Sequence, residues 1–162
     1  MARDVTDTLY NGRRRLSGNF GKLWVNGALI FEISAFSAKV TADRDDVYIG
    51  ADKDSKITGL TGEGSFTIKQ VFTRGFNRLL ENWKNGHDER FVFIGELADP
   101  DTVGGQYERV RLENIAINEL DIMKFEKGAV IEKEISFRWT PSDTFFEDAI
   151  EIPEYAAPHE NF

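Results

Sequence analysis

Residues 66–97, "FTIKQVFTRGFNRLLENWKNGHDERFVFIGEL", decide the fold, because they pass from a strand pattern to a helix pattern and back again. From Gly64 to Phe72 large apolar and polar residues alternate, as they do in a strand with one buried face. The run "ERFVFIGEL" is nearly continuously apolar and predicts a strand that is covered on both faces. The stretch contains no group that suggests catalysis.

Between these strands the pattern predicts one amphipathic helix. Thr73 is expected to cap it, and it runs to about Lys84, where Asn85-Gly86 ends it. Its apolar residues occur at positions i, i+3, i+4 and i+7 and form one stripe. This predicted helix-packing stripe consists of Phe76, Leu79, Leu80 and Trp83. We expect the stripe to cover the apolar side of a sheet.

On the N-terminal side, Asn26-Gly27 separates two apolar runs and predicts a tight hairpin, since both turn positions favour positive φ. Residues 34–41 alternate again and predict a second half-buried strand. Residues 43–62 mix charges with glycines and are too long for a simple turn, so they predict a long excursion between strands.

On the C-terminal side, strands are predicted at residues 107–114, at 115–125 with an irregularity near Leu120, and at 130–140. The last strand places Glu132, Glu134, Ser136 and Arg138 on its outward face. In total the pattern predicts seven or eight strands and one helix. The fold class is therefore mainly β, a β-sandwich or barrel with one flanking α-helix.

Composition limits the possible functions. The chain has 162 residues, 41% hydrophobic and 30% charged, with a formal net charge of −8 and no cysteine. We expect one globular domain without disulfides, made in a cytoplasm and not associated with a membrane. A negative chain repels phosphates, so tight DNA binding is not expected, and the basic run 13–15 is interpreted as a solvated surface.

Searches for chemical motifs point away from an enzyme. His87 and His159 have no metal-ligand spacing, and neither a nucleophile elbow nor a phosphate-binding loop is present. Asp52 and Asp54 lack the later ligands of a calcium loop. The sequence therefore predicts no catalytic residue, no metal and no cofactor.

Three blocks of sequence resemble the XkdM-like phage tail tube family. They are "LSGNFGKLWVNGALIFEISAFSAKV", "TGEGSFTIKQVFTRGFNRLLENWKNGHDERFVF" and "ERVRLENIAINELDIMKFEKGAVIEKEISFRWT", and they occur in that order. The resemblance implies a structural protein whose six copies form a ring, with rings stacked into a hollow tube inside a contractile tail. It implies as partners further copies of the chain, a sheath protein, and baseplate and tail terminator proteins. DNA would be at most transient cargo, and the location would be a virion tail or phage-tail-like particle assembled in the bacterial host cytoplasm.

With that resemblance, the polar sides of the two half-buried strands become candidates for the lumen of a tube. These candidate lumen residues are Ser37, Lys39, Thr41, Thr67 and Lys69. The charged excursion becomes a candidate ring-stacking loop, with Asp45, Asp46, Asp52, Lys53, Asp54 and Lys56.

The predicted organisation is an N-terminal arm at 1–15, a tail tube domain at 16–146 and a C-terminal tail at 147–162. A second reading stays open at this stage. A small β-barrel could hold an apolar ligand, with the acidic excursion as a lid.

Overall fold

The computed structural model describes residues 16–70, 73, 75–101 and 107–150. Within these residues the chain forms eight strands and one helix, in the order β1 Gly21–Val25, β2 Ala28–Leu29, β3 Ile33–Ile49, β4 Asp52–Lys69, α1 Phe76–Lys84, β5 Phe91–Ala98, β6 Tyr107–Ile117, β7 Glu132–Trp139 and β8 Thr144–Asp148.

The strands pair antiparallel, in the spatial order β2-β1-β5-β6-β7-β4-β3, and β8 pairs with β6. Strand β6 belongs to two sheets. Its first part pairs with β5 and β8, whereas Ala116 and Ile117 pair with β7. Just before this change of partner lies Asn114, whose φ of 57° breaks the regular extended course where the pairing with β5 shifts its register. The sheet therefore turns on itself at β6 into a first sheet (β2, β1, β5, β6, β8) and a second sheet (β6, β7, β4, β3), which confirms the predicted β-sandwich.

The core lies between the two sheets. Phe93 of β5 is fully buried and meets two rings of the second sheet edge-on, Phe66 at 5.5 Å and Phe137 at 5.0 Å between ring centroids. Leu23 and Ile135 are also fully buried. Such edge-to-face aromatic packing fixes the spacing and the alignment of the sheets.

Helix α1 begins at Phe76, and its N-cap residue is Gly75, with a φ of 77°. The expectation that Thr73 caps the helix is wrong: its carbonyl only accepts a bond from the Phe76 amide, at 3.3 Å. The chain enters the helix through a left-handed conformation, which glycine adopts without steric cost. At the other end Asn85 is the C-cap and Gly86 has a φ of 76°, as predicted.

The helix closes one end of the sandwich. Leu79 is buried, and Phe76 and Trp83 pack against the core, while Leu80 is half-buried outside that cluster. Phe76 and Leu79 share a small cavity of about 80 Å³ with residues of both sheets, among them Phe66 and Phe91. The apolar side of the second sheet thus contacts Phe93 of β5, and the helix adds Leu79 to the same core.

The segment predicted as a long excursion between strands is itself part of the two strands: it forms the outer half of the β3-β4 hairpin, with one register shift between Asp43 and Arg44. Strands β3 and β4 stay paired from Ile33 and Ile68 to Ile49 and Asp52, and the turn is made at Gly50 (φ 64°) and Ala51. Residues 43–58 are all exposed. Because neither face of this ribbon is buried, its sequence lacks the alternation that marks a half-buried strand.

Two further differences concern the C-terminal half. The strand predicted at 115–125 does not exist: β6 continues through Asn114 to Ile117, and residues 118–131 lie outside strands. Strand β8 was not predicted, and it spans the expected domain boundary at 146. The expected arm at 1–15 and most of the expected tail lie outside the described residues.

Candidate assembly surfaces

One face of the second sheet is polar along its whole width. Directly opposed residues of antiparallel strands point to the same side, and the pairs Ser37 with Ser65 and Ser65 with Ser136 connect β3, β4 and β7. We call this surface the polar face. It comprises Ser37, Lys39, Thr41, Thr61, Glu63, Ser65, Thr67, Lys69, Glu132, Glu134, Ser136 and Arg138. All five candidate lumen residues therefore lie together on one surface, whereas Phe66 and Ile68 point to the core.

Charges on the polar face occur in cross-strand pairs. Lys39 lies opposite Glu63, with 3.5 Å between Nζ and Oε1, and Glu63 in turn lies opposite Arg138. Lys69 lies opposite Glu132. The face contains three cations (Lys39, Lys69, Arg138) and three carboxylates (Glu63, Glu132 and Glu134, the last opposite Thr67), so its formal charge is zero. The chain as a whole carries −8, which means that its excess negative charge is located elsewhere.

The outer half of the β3-β4 hairpin holds all the candidate ring-stacking residues. Asp45 pairs with Lys56, and Asp46 forms an ion pair with Lys53 at 2.6 Å. Near the turn, Tyr48 is 73% exposed and Ile49 is 63% exposed. An exposed hairpin of this length with apolar side chains at its tip gains little from folding alone, which is typical of a segment that contacts another molecule.

The outward side of the first sheet has a charged cluster that sequence reasoning missed. Arg109 and Arg111 both reach Glu147, at 3.0 and 3.6 Å, and Arg109 lies over the Trp24 ring at 5.6 Å. Strand alternation on β6 could have indicated it, but the opposing carboxylate comes from β8, which was not predicted. Tyr107 lies at the edge of this cluster. Its side-chain hydrogen bond with Asp148 and the negative charge of that carboxylate raise the pKa of Tyr107.

The described part of the chain contains no group of three or more His, Cys, Asp or Glu residues arranged to hold a metal ion. His87 is exposed, and His159 lies outside the described residues. Among the described residues, no helix has the length and apolar character needed to span a membrane.

The chain is similar in sequence to two proteins of Bacillus subtilis. The phage-like element PBSX protein XkdM of Bacillus subtilis (strain 168) is 27% identical over 131 residues, which cover 79% of this chain and 88% of XkdM. YqbM of the same strain, described as uncharacterized, matches to the same extent. The resemblance to XkdM-like proteins that the sequence blocks indicated is thus confirmed.

Solved structures share the fold at low sequence identity. A chain of the PVC sheath-tube complex, an extracellular contractile injection system in its extended state, superposes with a TM-score of 0.63 and 10% identity, over 91% of this chain and 100% of that chain. A chain of the anti-feeding prophage tube terminating cap gives 0.63 and 11% over the same shares. A chain of the anti-feeding prophage baseplate gives 0.57 and 8%, over 79% of this chain and 91% of that chain.

The profile of a family described as "Phage tail tube protein" matches residues 8–147, which include every strand and the helix described above except the last residue of β8. With its polar face backed by an apolar core, the chain has a structural role in a tail tube, and it belongs to the phage tail tube protein family.

Proposed function

We propose that six copies of this chain form a ring, and that rings stack into the hollow inner tube of a contractile phage tail or phage-tail-like particle. The observation that carries the proposal is the polar face, a continuous hydrophilic surface on a sheet whose other side is dry. In a closed ring of such sheets the polar faces would line a wet lumen, and the apolar sides would form the wall.

The second sheet has edges that a ring would use. Strand β3 ends the strand order, so within the described part of the chain its 17 residues have a neighbouring strand on one side only. On β7 only Phe137 and Arg138 pair with β6, which leaves the part from Glu132 to Ile135 without a strand on that side among the described residues. Unpaired edges promote association between chains, and a closed barrel removes them. Joining β3 of one copy to the β7 side of the next continues the sheet around the ring.

Stacking is assigned to the outer half of the hairpin. Its charges alternate in sign across the ribbon, as Asp46 with Lys53 shows, and its tip exposes Tyr48 and Ile49. A second ring stacked on this ribbon would cover its charged residues and the two exposed side chains at its tip. The hairpin then replaces the stacking loop expected from sequence.

The wider assembly follows from the proteins that share the fold. Their structures were determined as a sheath-tube complex, a baseplate and a tube cap. By analogy, this chain would contact a sheath protein outside the tube and baseplate and terminator proteins at its ends. No enzymatic activity, cofactor or membrane contact is part of the proposal, and DNA would pass through the lumen only as cargo. Residues 1–15 and 147–162 would act as an arm and a tail of the tube domain, and assembly would take place in the host cytoplasm.

Electron microscopy of the purified protein tests the proposal. Negative-stain images at high concentration, with the sheath, baseplate and terminator partners present, should show six-fold rings or tubes, and a chelator should leave them unchanged. A protein that stays strictly monomeric under these conditions would contradict the proposal and would favour a ligand-binding β-barrel.

A further inference from the structure

An open groove runs beneath strand β3, between that strand and the first sheet. It has a volume of about 1260 Å³. Its apolar lining includes Phe36 and Val40 of β3, Leu97 of β5, Val110 of β6 and Phe146 of β8. Val40 is 47% exposed and Phe146 is 65% exposed. The two sheets thus leave apolar side chains uncovered at the β3 edge, although they are well packed further inside.

A second apolar surface lies in the segment 121–130, which leads from β6 to β7 and is exposed throughout. We call it the apolar segment. Its large side chains are Ile122 (63% exposed), Met123 (78%), Phe125 (70%) and Val130 (76%). Single exposed apolar residues are common on protein surfaces, but four within nine positions form a patch that is typical of a contact site.

The first residue of the apolar segment, Asp121, is hydrogen-bonded to a buried lysine. Lys133 of β7 is only 4% exposed, and its Nζ donates a hydrogen bond to the Asp121 carbonyl at 3.0 Å. The Lys133 ammonium also lies 5.9 Å from the centre of the Phe76 ring of α1. The segment is therefore anchored to β7 while its apolar side chains point outward.

The groove and the apolar segment lie at different edges of the second sheet. The groove follows β3, the segment joins β7, and β4 lies between them. Asp121, at the start of the segment, is hydrogen-bonded to Lys133 of β7, and the chain enters β7 after residue 131. Both ends of the segment are therefore fixed near β7, away from the groove of the same molecule. A cyclic ring joins two different surfaces of the same molecule, one from each neighbour.

We propose that the apolar segment of one copy fills the groove beneath β3 of the next copy around the ring. This inference rests on the proposed ring assembly. It adds the contact that determines which surface of one copy meets which surface of the next. The sheet edges supply backbone hydrogen bonds, and the segment supplies apolar burial at the same junction. The exposed side chains of both surfaces would be covered by one contact.

Cysteine crosslinking tests this contact, since the chain has no cysteine of its own. Val40→Cys would be made in one batch of protein and Phe125→Cys in another batch carrying a mass tag. The two batches would be mixed, assembled and treated with a short bis-maleimide crosslinker. Any tagged-untagged dimer must join two molecules. Val47→Cys serves as the matched control, because it lies on the same strand with similar exposure (40% against 47%) but does not line the groove.

The expected result is an efficient heterodimer for Val40→Cys with Phe125→Cys and little for Val47→Cys with Phe125→Cys. Wild-type tubes imaged in parallel separate the two proposals. If tubes form but the Val40→Cys pair does not crosslink, or if both pairs crosslink equally, the segment does not occupy the groove. If no ring or tube forms and no crosslink appears, both proposals fail together.

A second variant does not depend on crosslinking. Phe125→Ser changes an exposed side chain, so the isolated subunit should unfold at an unchanged temperature. Ring formation should nevertheless require at least about tenfold more protein, as expected when a central apolar contact is lost. Rings that form at the wild-type concentration would overturn the inference, and so would a small apolar ligand found in the groove of assembled tubes.

Discussion

Gly64 of β4 lies directly against the ring of Phe137 of β7. A Cβ atom built on Gly64 would lie 2.6 Å from Phe137 Cζ and would also collide with the Ser37 carbonyl oxygen on β3. The two residues are cross-strand partners, and the ring occupies the space that a side chain at position 64 would need. The absence of a side chain at this position therefore allows Phe137 to reach the core while three strands stay in register.

Gly64→Ala should destabilise the subunit, because the added methyl group meets backbone on one side and a packed ring on the other. We expect a loss of about 1–3 kcal/mol in the free energy of unfolding, the usual range for overpacking. Gly59→Ala is the matched control on the same strand, since its added Cβ would meet only Asp43 Oδ2, at 3.7 Å. Urea unfolding of the unassembled subunit, followed by tryptophan fluorescence, measures both. Equal stabilities would show that β4 can shift to accommodate the methyl group.

Leu79→Ala should lower the free energy of unfolding, because it removes a buried side chain from the core between the two sheets. Leu79 is 3% exposed and packs among residues of both sheets, so its truncation should cost about 2–5 kcal/mol. Leu80→Ala, next to it and half-buried outside the core cluster, should cost clearly less. The comparison can be read from thermal unfolding of both variants. A larger loss for Leu80→Ala would mean that the helix is rotated from the position described here.

The strands that the sequence predicts correctly are those with one buried face and one exposed face. The strand around Phe66 and the strand ending at Trp139 have one dry face, so their alternation could be read directly. The end of the helix was also predictable, because Asn85-Gly86 is a local signal. Together with the alternating part of β3, these two strands carry the polar face, which is why its candidate residues follow from the sequence alone.

The remaining elements lack such local signals. Both faces of the outer hairpin are exposed to solvent, so its strands show no alternation of apolar and polar residues. The sequence pattern predicts that a strand ends at Asn114, although this residue lies within β6, where the pairing with β5 shifts its register. The groove under Val40 forms only when β3 and the first sheet are brought together, and the burial of Lys133 depends on contacts between distant segments. Properties of this kind arise from tertiary packing and could not be derived from spacing along the chain.

Shortening the hairpin should separate stacking from folding. Because Arg44 pairs with Ile57, residues 45–56 can be replaced by Asn-Gly without changing the register of the remaining strands. All twelve removed residues are exposed, so the subunit should fold and form rings, but long tubes should not appear in electron micrographs. Replacing only Gly50-Ala51 by Asn-Gly is the control, and it should leave elongation intact. Long tubes from the shortened protein would exclude the hairpin as the stacking element.

Adding positive charge to the polar face should make a tube retain DNA. The face has no net formal charge, with Lys39 beside Glu63 and Lys69 opposite Glu132, so a passing phosphate backbone meets no excess of cations. Each added lysine would be repeated six times per ring and would increase salt-dependent binding. Unmodified tubes should therefore bind little DNA at physiological salt, whereas Thr41→Lys combined with Thr67→Lys should bind clearly more, and the gain should fall as salt is raised.

The control for this experiment is Ser142→Lys, which adds a cation at an exposed site in the short turn after β7, outside the residues that make up the polar face. It should leave DNA retention near the level of unmodified tubes. Filter binding at several salt concentrations provides the measurement. Tight, salt-sensitive binding by unmodified tubes would mean that the polar face does not line the lumen. The lining would then be sought on the outward side of the first sheet, where Arg109 and Arg111 lie, although both are already paired with Glu147.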